Sequence, residues 1–124
     1  MKKFAKFTAA LLIAVTIFSG AAFALPPADK STVRGIDVSV YQGDIDFSAV
    51  KRSGIGAVYI RAGAGNSYTD GKLEYNYRKA KAAGIKIGFY YYVTAMNEEE
   101  AVAQAAKFAA LIKGKNYEMR PAMD

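Results

Sequence analysis

The 124-residue chain contains neither cysteine nor histidine. Without cysteine there is no disulfide framework and no thiolate metal site. Without histidine there is no Ser-His-Asp or Cys-His catalysis, no imidazole-ligated zinc and no imidazole general base. Any chemistry must come from carboxylates, lysines, tyrosines or backbone groups, and no metal or organic cofactor is indicated. Basic residues form no stripe with interleaved aromatics, so the footprint of a nucleic-acid partner is missing. No glycine-rich phosphate loop follows the first strand pattern, where Tyr41-Gln42-Gly43-Asp44 stands instead. That weighs against a periplasmic small-molecule binder built on a doubly wound sheet.

A membrane-spanning length is lacking too. The apolar run from Phe7 to Phe18 stops short of the roughly 20 residues a span needs. It follows the basic start Met1-Lys2-Lys3-Phe4-Ala5-Lys6 and precedes Ala22-Phe23-Ala24, the small-x-small pattern read by signal peptidase. Residues 1–24 are therefore expected to be a signal peptide, with an exported mature chain that starts at Leu25 and keeps no stable membrane anchor. Residues 25–33, with Pro26-Pro27, read as a linker. Lys2, Lys3 and Lys6 supply three of the formal net charge of +6, leaving +3. That mild basicity suits an anionic surface such as a bacterial cell wall. Nothing in the sequence specifies an oligomeric state.

From Arg34 onward strand and helix patterns alternate. The first strand is expected over Arg34–Val40, where Ile36, Val38 and Val40 alternate with Asp37, Ser39 and Tyr41. One face is β-branched; the other carries an acid, a hydroxyl and a phenol. An ionised aspartate buried on a strand is costly unless partnered, so Asp37 is either paired or placed for chemistry. Asp46 is positioned to cap a helix over Phe47–Ser53, which ends at Gly54. A strand over Ala57–Ala62, a loop over Gly63–Gly71 and a helix over Leu73–Ala83 follow. The third strand spans Ile85–Val93. Asn97 with Glu100 resembles a capping box that opens an alanine-rich helix to about Lys113. Pro121–Asp124 starts a fourth strand.

This order predicts right-handed βαβ units and a parallel sheet. A doubly wound sheet and a (β/α) barrel both satisfy it, and face polarity separates them. Strands covered by helices on both sides are apolar throughout, whereas here each strand has one polar face. Aligned by parity, the polar set is Asp37, Ser39, Tyr41, Tyr59, Arg61, Tyr90, Tyr92 and Asp124. The expected fold is thus α/β, the N-terminal half of a (β/α) TIM-like barrel with four parallel strands and three helices, the polar set facing the lumen. In such barrels functional groups sit at the carboxyl ends of the strands, where Asp37, Tyr92 and Asp124 fall. Two aspartates with tyrosines and an arginine around them suit carbohydrate chemistry: rings stack on sugar faces, and carboxylates support glycosidic cleavage. The structural alternative has Arg61 neutralising an aspartate inside a barrel core, with the tyrosines as packing.

Gly35-Ile36-Asp37-Val38-Ser39 followed by Tyr41-Gln42-Gly43 resembles the opening motif of glycoside hydrolase family 25 lysozymes, the N-acetylmuramidases. Tyr59-Ile60-Arg61-Ala62-Gly63 resembles their second strand, and Gly88-Phe89-Tyr90-Tyr91-Tyr92 their third. Asn76, Ala80, Ala83, Gly84 and Ile85 resemble the intervening helix and turn. Arg120-Pro121-Ala122-Met123-Asp124 is similar to the lead-in to the family's Asp-x-Glu strand. The likeness covers residues 34–124. It implies a secreted glycosidase that cleaves the β-1,4 bond between N-acetylmuramic acid and N-acetylglucosamine in peptidoglycan, with net retention.

By that resemblance Asp37 and Asp124 are catalytic, Asp37 supporting the reacting sugar. Two routes fit Asp124: direct attack at the anomeric carbon, or support of attack by the substrate's acetamido group. Tyr90, Tyr92 and Arg61 are assigned to substrate binding, Tyr90 beside the scissile bond. Tyr41, Gln42 and Tyr59 are given structural roles. The family's general acid is the glutamate two residues beyond the position of Asp124, outside this sequence. A barrel of this kind needs about 200 residues or more, so the chain is expected to be a fragment, inactive as it stands. The alternative is a non-catalytic peptidoglycan-binding module or a degenerate barrel.

Overall fold

A computed structural model describes residues 32–124. The expected signal peptide over residues 1–24, and the linker as far as residue 31, lie outside the described residues. The elements run β1 (Gly35–Val38), a 3-10 turn (Val40–Gln42), α1 (Phe47–Arg52), β2 (Ala57–Ala64), β3 (Tyr68–Thr69), α2 (Leu73–Ala82), β4 (Lys86–Tyr92), α3 (Glu98–Ile112) and β5 (Ala122–Met123). Four strands are parallel, in the spatial order β1-β2-β4-β5, and β3 folds back antiparallel on the end of β2.

Local chemistry starts and stops the helices. The Asp46 carboxylate accepts from Ala49 N at 3.0 Å to cap α1. Asn97 accepts from Glu100 N at 2.9 Å, and the Glu100 carboxylate in turn accepts from Met96 N at 2.8 Å. Three acids in the first turn of α3 then lie at the positive end of its dipole. Gly84, at φ +66°, takes the left-handed turn that ends α2.

The helices share one core with a single face of the sheet. Val38, Val58, Ile60, Ile87, Phe89 and Tyr91 meet Phe47, Leu73, Ala80, Phe108 and Ile112 in one buried cluster. Each large side chain in it is worth about 1.5–3 kcal/mol of transfer free energy. Tyr91 stays inside because its hydroxyl donates to Gly65 O at 2.7 Å and its ring packs on Phe108 at 5.5 Å. The opposite sheet face carries the polar residues. This one-sided cover is the barrel-like arrangement, not the doubly wound one.

Two local expectations change. The first strand stops at Val38, so Ser39 and Tyr41 do not continue its polar face. Ser39 caps the 3-10 turn instead: its Oγ accepts from Tyr41 N, and its own N donates to the Gln42 side chain at 2.7 Å. A short polar side chain bonded to nearby backbone outcompetes strand continuation. The second strand reaches Ala64 through a bulge between Arg61 and Gly63, and β3 occupies part of the expected loop. Gly63 permits this close approach, since a Cβ there would sit 2.8 Å from the Tyr91 ring.

Candidate active site

Parallel pairing lines up the polar residues across the sheet. Asp37 on β1 is in register with Tyr59 on β2, Tyr59 with Gly88 on β4, and Tyr90 with Ala122 on β5. Beyond β5, Asp124 is held by its backbone: its N donates to Tyr91 O at 2.9 Å and its O accepts from Val93 N at 2.7 Å. Asp37, Tyr59, Tyr90, Ala122, Met123 and Asp124 thereby line one hollow of about 360 Å³. Of the residues proposed from sequence, Asp37, Tyr90 and Asp124 meet here. Another hollow of similar size, about 350 Å³ between α1 and α2, holds one aspartate, Asp46, which is already committed to capping.

Support for the hollow is specific. The Tyr59 ring lies over Gly88, where a Cβ would stand 2.6 Å from it, and the Tyr59 hydroxyl donates to Arg120 O at 3.0 Å. The segment leading to β5 is pinned to the start of β4: Ile87 N donates to the Glu118 carboxylate at 2.8 Å, and Glu118 N and Met119 N donate to Ile87 O. Tyr59, given a structural role from sequence, both braces this wall and lines the hollow.

Among the described residues the carboxylates of Asp37 and Asp124 enter no ion pair, and both residues are exposed. The dilemma of a buried, unpaired acid therefore does not arise at Asp37. Tyr90 between them is half-buried. Burial pushes its phenol above the ordinary range, the charges of Asp37, Asp70 and Asp124 push the same way, and Arg61 opposes them. The phenol thus stays protonated and able to donate a hydrogen bond. Two ionisable carboxylates flanking such a donor can hold a polyhydroxylated ligand and favour positive charge developing on it. Among the described residues no group of three Asp, Glu, His or Cys side chains is placed to share a metal ion.

Arg61 and Tyr92 lie beside this hollow. They line a neighbouring one of about 490 Å³ with Tyr41, Ala64 and Tyr68. Arg61 Nε donates to the Asp70 carboxylate at 2.8 Å, with 11% of the Arg61 side chain exposed and none of Asp70. Burial would lower the Arg61 pKa, but the Asp70 hydrogen bond and charge outweigh it and hold the guanidinium above its usual value. Asp70 also accepts from Val40 N at 3.1 Å and Lys72 N at 2.9 Å. One carboxylate thus joins the end of β1, the middle of β2 and the start of α2. Sequence reasoning passed over Asp70. Its only signal is an Asp-Gly pair two residues ahead of a helix, which reads equally well as a turn.

The model of the glycosyl hydrolases family 25 matches residues 36–124. The autolytic lysozyme of Clostridium acetobutylicum is 41% identical over 92 residues, which cover 74% of this chain and 28% of that protein. The crystal structure of a bacterial lysozyme from Streptomyces coelicolor matches with a TM-score of 0.60 and 41% identity, over 66% of this chain and 37% of that one. The modular autolysin LytC of Streptococcus pneumoniae, solved in complex with a synthetic peptidoglycan ligand, matches with a TM-score of 0.61 and 29% identity, over 68% of this chain and 20% of that one. The chain therefore spans well under half the length of each of these relatives, and its four parallel strands and three helices form part of a TIM-like barrel. Since the match runs from β1 through Asp124 and takes in every wall of the hollow, the chain belongs to glycosyl hydrolases family 25.

Proposed function

We propose that this chain forms one side of the cleft of an exported muramidase acting on the β-1,4 bond between N-acetylmuramic acid and N-acetylglucosamine of peptidoglycan. The observation that carries the reading is the shared hollow, in which Asp37 and Asp124, 87 positions apart in the chain, flank the Tyr90 phenol. Glycosidic cleavage passes through an oxocarbenium-like transition state, and carboxylates stabilise that charge. Asp124 is assigned to the positive charge at the anomeric centre or on the acetamido group, and Asp37 to holding and electrostatically supporting the reacting sugar. Tyr90 donates to the substrate beside the scissile bond, while Tyr92 and Arg61 bind the glycan farther along. The autolysin crystallised with a peptidoglycan ligand supports this substrate class. Export rests on the leader pattern of residues 1–24 and predicts a secreted form that begins at Leu25.

Hydrolysis also needs a group to protonate the leaving oxygen. Asp37 and Asp124 are the carboxylates lining this hollow and are given other tasks, so the 124-residue polypeptide on its own is proposed to be inactive. The test is release of reducing N-acetylmuramic acid ends from purified peptidoglycan by the full translation product of the gene. Asp37→Asn and Asp124→Asn should each slow release about a hundredfold or more. Rates unchanged by both substitutions would overturn the reading. Tight wall binding by the full product with no new reducing ends would favour the non-catalytic binding module. Clearing of a wall suspension by the 124-residue polypeptide would overturn its inactivity.

A further inference from the structure

We propose that the outward face of α2 docks a linear, phosphodiester-linked polyanion of the bacterial wall, away from the cleft. The muramidase reading enters only through where the protein meets that polymer. The docking face uses none of the residues given to the cleft.

Positive charge is gathered on one side of the molecule. Helices α1 and α2 carry Lys51, Arg52, Arg78, Lys79 and Lys81 against the single acid Glu74, whereas α3 carries three glutamates and one lysine. Two rings on α2 each gather a pair of ammonium groups. Lys72 and Lys79 lie 4.9 and 5.9 Å from the Tyr75 centroid, and Lys81 and Lys115 each lie 5.3 Å from that of Tyr77. A ring attracts each cation, but two like charges on one ring repel, and an anion relieves that repulsion. The acids nearby are already engaged: Asp46 with Arg52, Asp44 with Lys72 and Glu74 with Lys115. Among the described residues Lys51, Arg78, Lys79 and Lys81 have no acidic partner. Lys51 Nζ donates to Gly84 O at 3.0 Å and Lys81 Nζ to the Tyr77 hydroxyl at 3.2 Å. The helix dipole favours Lys79 and Lys81 in the last turn of α2. It does not account for Lys51 and Lys115, which arrive from other parts of the chain.

Helical geometry turns these residues into a band. Leu73, Asn76 and Ala80 are buried against the sheet, so Arg78, Lys79 and Lys81 fan around the opposite side of α2. Lys79 lies toward α1, with which it lines a hollow, and Lys81 lies toward Lys115. The band therefore crosses a helix about 10–12 Å wide, with Lys51 at its far end beside Gly84. Exposed ion pairs are individually weak. A small anion meets one or two of these cations, whereas an extended polymer with a charge on every repeat meets several at once. Phosphate oxygens are strong acceptors for lysine and arginine N–H groups. The face also stays open as the barrel is completed. Helix α2 leads into β4, and β2 and β4 are the middle strands of the order β1-β2-β4-β5. Strands added beside β1 or β5 leave its outward side uncovered, so the polymer and the glycan can be held together.

The test measures binding of a fluorescent glycerol-phosphate oligomer to the full translation product of the gene by anisotropy at low salt. Arg78→Gln/Lys79→Gln/Lys81→Gln should weaken binding about tenfold. Lys107→Gln/Lys113→Gln, on and after α3, should change it less than about twofold. Raising the salt should weaken the parent more steeply than the triple variant. Far-UV circular dichroism is the fold control. Should the triple variant fail it, Lys79→Gln alone, expected to weaken binding about twofold, repeats the comparison. No binding by the parent, an undiminished affinity in the triple variant, or an equal loss in the α3 pair overturns the docking face. So does a loss in the triple variant seen with phosphatidylglycerol vesicles and not with the oligomer, which would assign the band to a membrane. Oligomer binding that depends on α2, with no reducing ends released from peptidoglycan, overturns the muramidase reading and leaves the docking face standing.

Discussion

Asp70→Asn is the substitution that most directly tests how the rim of the cleft is built. The Asp70 carboxylate, with no exposed side-chain surface, meets three donors: Arg61 Nε at 2.8 Å, Val40 N at 3.1 Å and Lys72 N at 2.9 Å. Oδ2 takes the first two and Oδ1 the third. Asparagine has a single acceptor oxygen, so its NH2 must face either Lys72 N–H or the Arg61 and Val40 pair. Either orientation opposes donor to donor and leaves the Arg61 charge without its counter-ion. Breaking one partner of a buried pair costs about 3–5 kcal/mol, and retained hydrogen bonding on one side reduces that to about 2–4 kcal/mol for asparagine. Against a total stability of about 5–15 kcal/mol for a domain, this is a large share. Urea unfolding followed by far-UV circular dichroism measures it, with the slope checked for a two-state transition. Replacing both partners, as in Arg61→Met/Asp70→Leu, removes the unpaired charge and should destabilise by at least about 2 kcal/mol less than the sum of the two single changes. Amide exchange at Val40 and Tyr41 should quicken in Asp70→Asn. A loss below about 0.5 kcal/mol, or strict additivity in the double variant, would show that the Asp70 carboxylate does not hold the rim together.

Gly88→Ala places a methyl 2.6 Å from the Tyr59 ring; it should displace that ring, break the Tyr59–Arg120 bond and weaken oligosaccharide binding. Unchanged affinity would show that Tyr59 does not shape the hollow. Gln104, 1% exposed, accepts from Thr94 N at 3.0 Å and donates to Asn66 at 2.7 Å. Gln104→Leu should cost about 1–3 kcal/mol and speed amide exchange over residues 65–70, and it fails if exchange there is unaltered. Asn76 is fully buried with neither amide atom bonded among the described residues. Asn76→Leu should therefore be neutral or stabilising, and a loss above about 1 kcal/mol in urea unfolding would instead place ordered water beside the amide. Burial holds the Tyr91 phenol above its usual range, whereas at Tyr77 the Asn116 N–H and the Lys81 and Lys115 charges outweigh burial and lower it. Above about pH 10 the unfolded chain sheds a proton that folded Tyr91 keeps, so stability falls with rising pH there, whereas folded Tyr77 sheds its proton first and contributes a rise in stability as pH approaches about 10 from below. Tyr91→Phe should flatten the alkaline fall in urea midpoint and Tyr77→Phe should steepen it; an unaltered profile in Tyr91→Phe refutes the assignment.

The periodic parts of the molecule were legible in sequence because their signal is local. Val58 and Ile60 against Tyr59 and Arg61, or Ile87 and Phe89 against Gly88 and Tyr90, state strand, face and parity at once. That parity, carried across a parallel sheet, already brings Asp37, Tyr90 and Asp124 to one side, where they share a hollow. What escaped was decided by single side chains reaching outside their own element. Ser39 ends β1 because its hydroxyl and Gln42 satisfy the backbone locally. The bulge at Gly63 shifts the register beyond Arg61, and β3 then brings Tyr68 to face Tyr41 across the guanidinium. Asp70 had no periodic pattern to reveal it; two of its three partners are 30 and 9 positions away in the chain. The structural alternative for Arg61, neutralisation of an acid, and its assignment to substrate binding therefore need not compete. A guanidinium fixed through Nε has its remaining N–H groups held in a set direction, and that rigidity is what an unpaired, mobile arginine at the same place would lack.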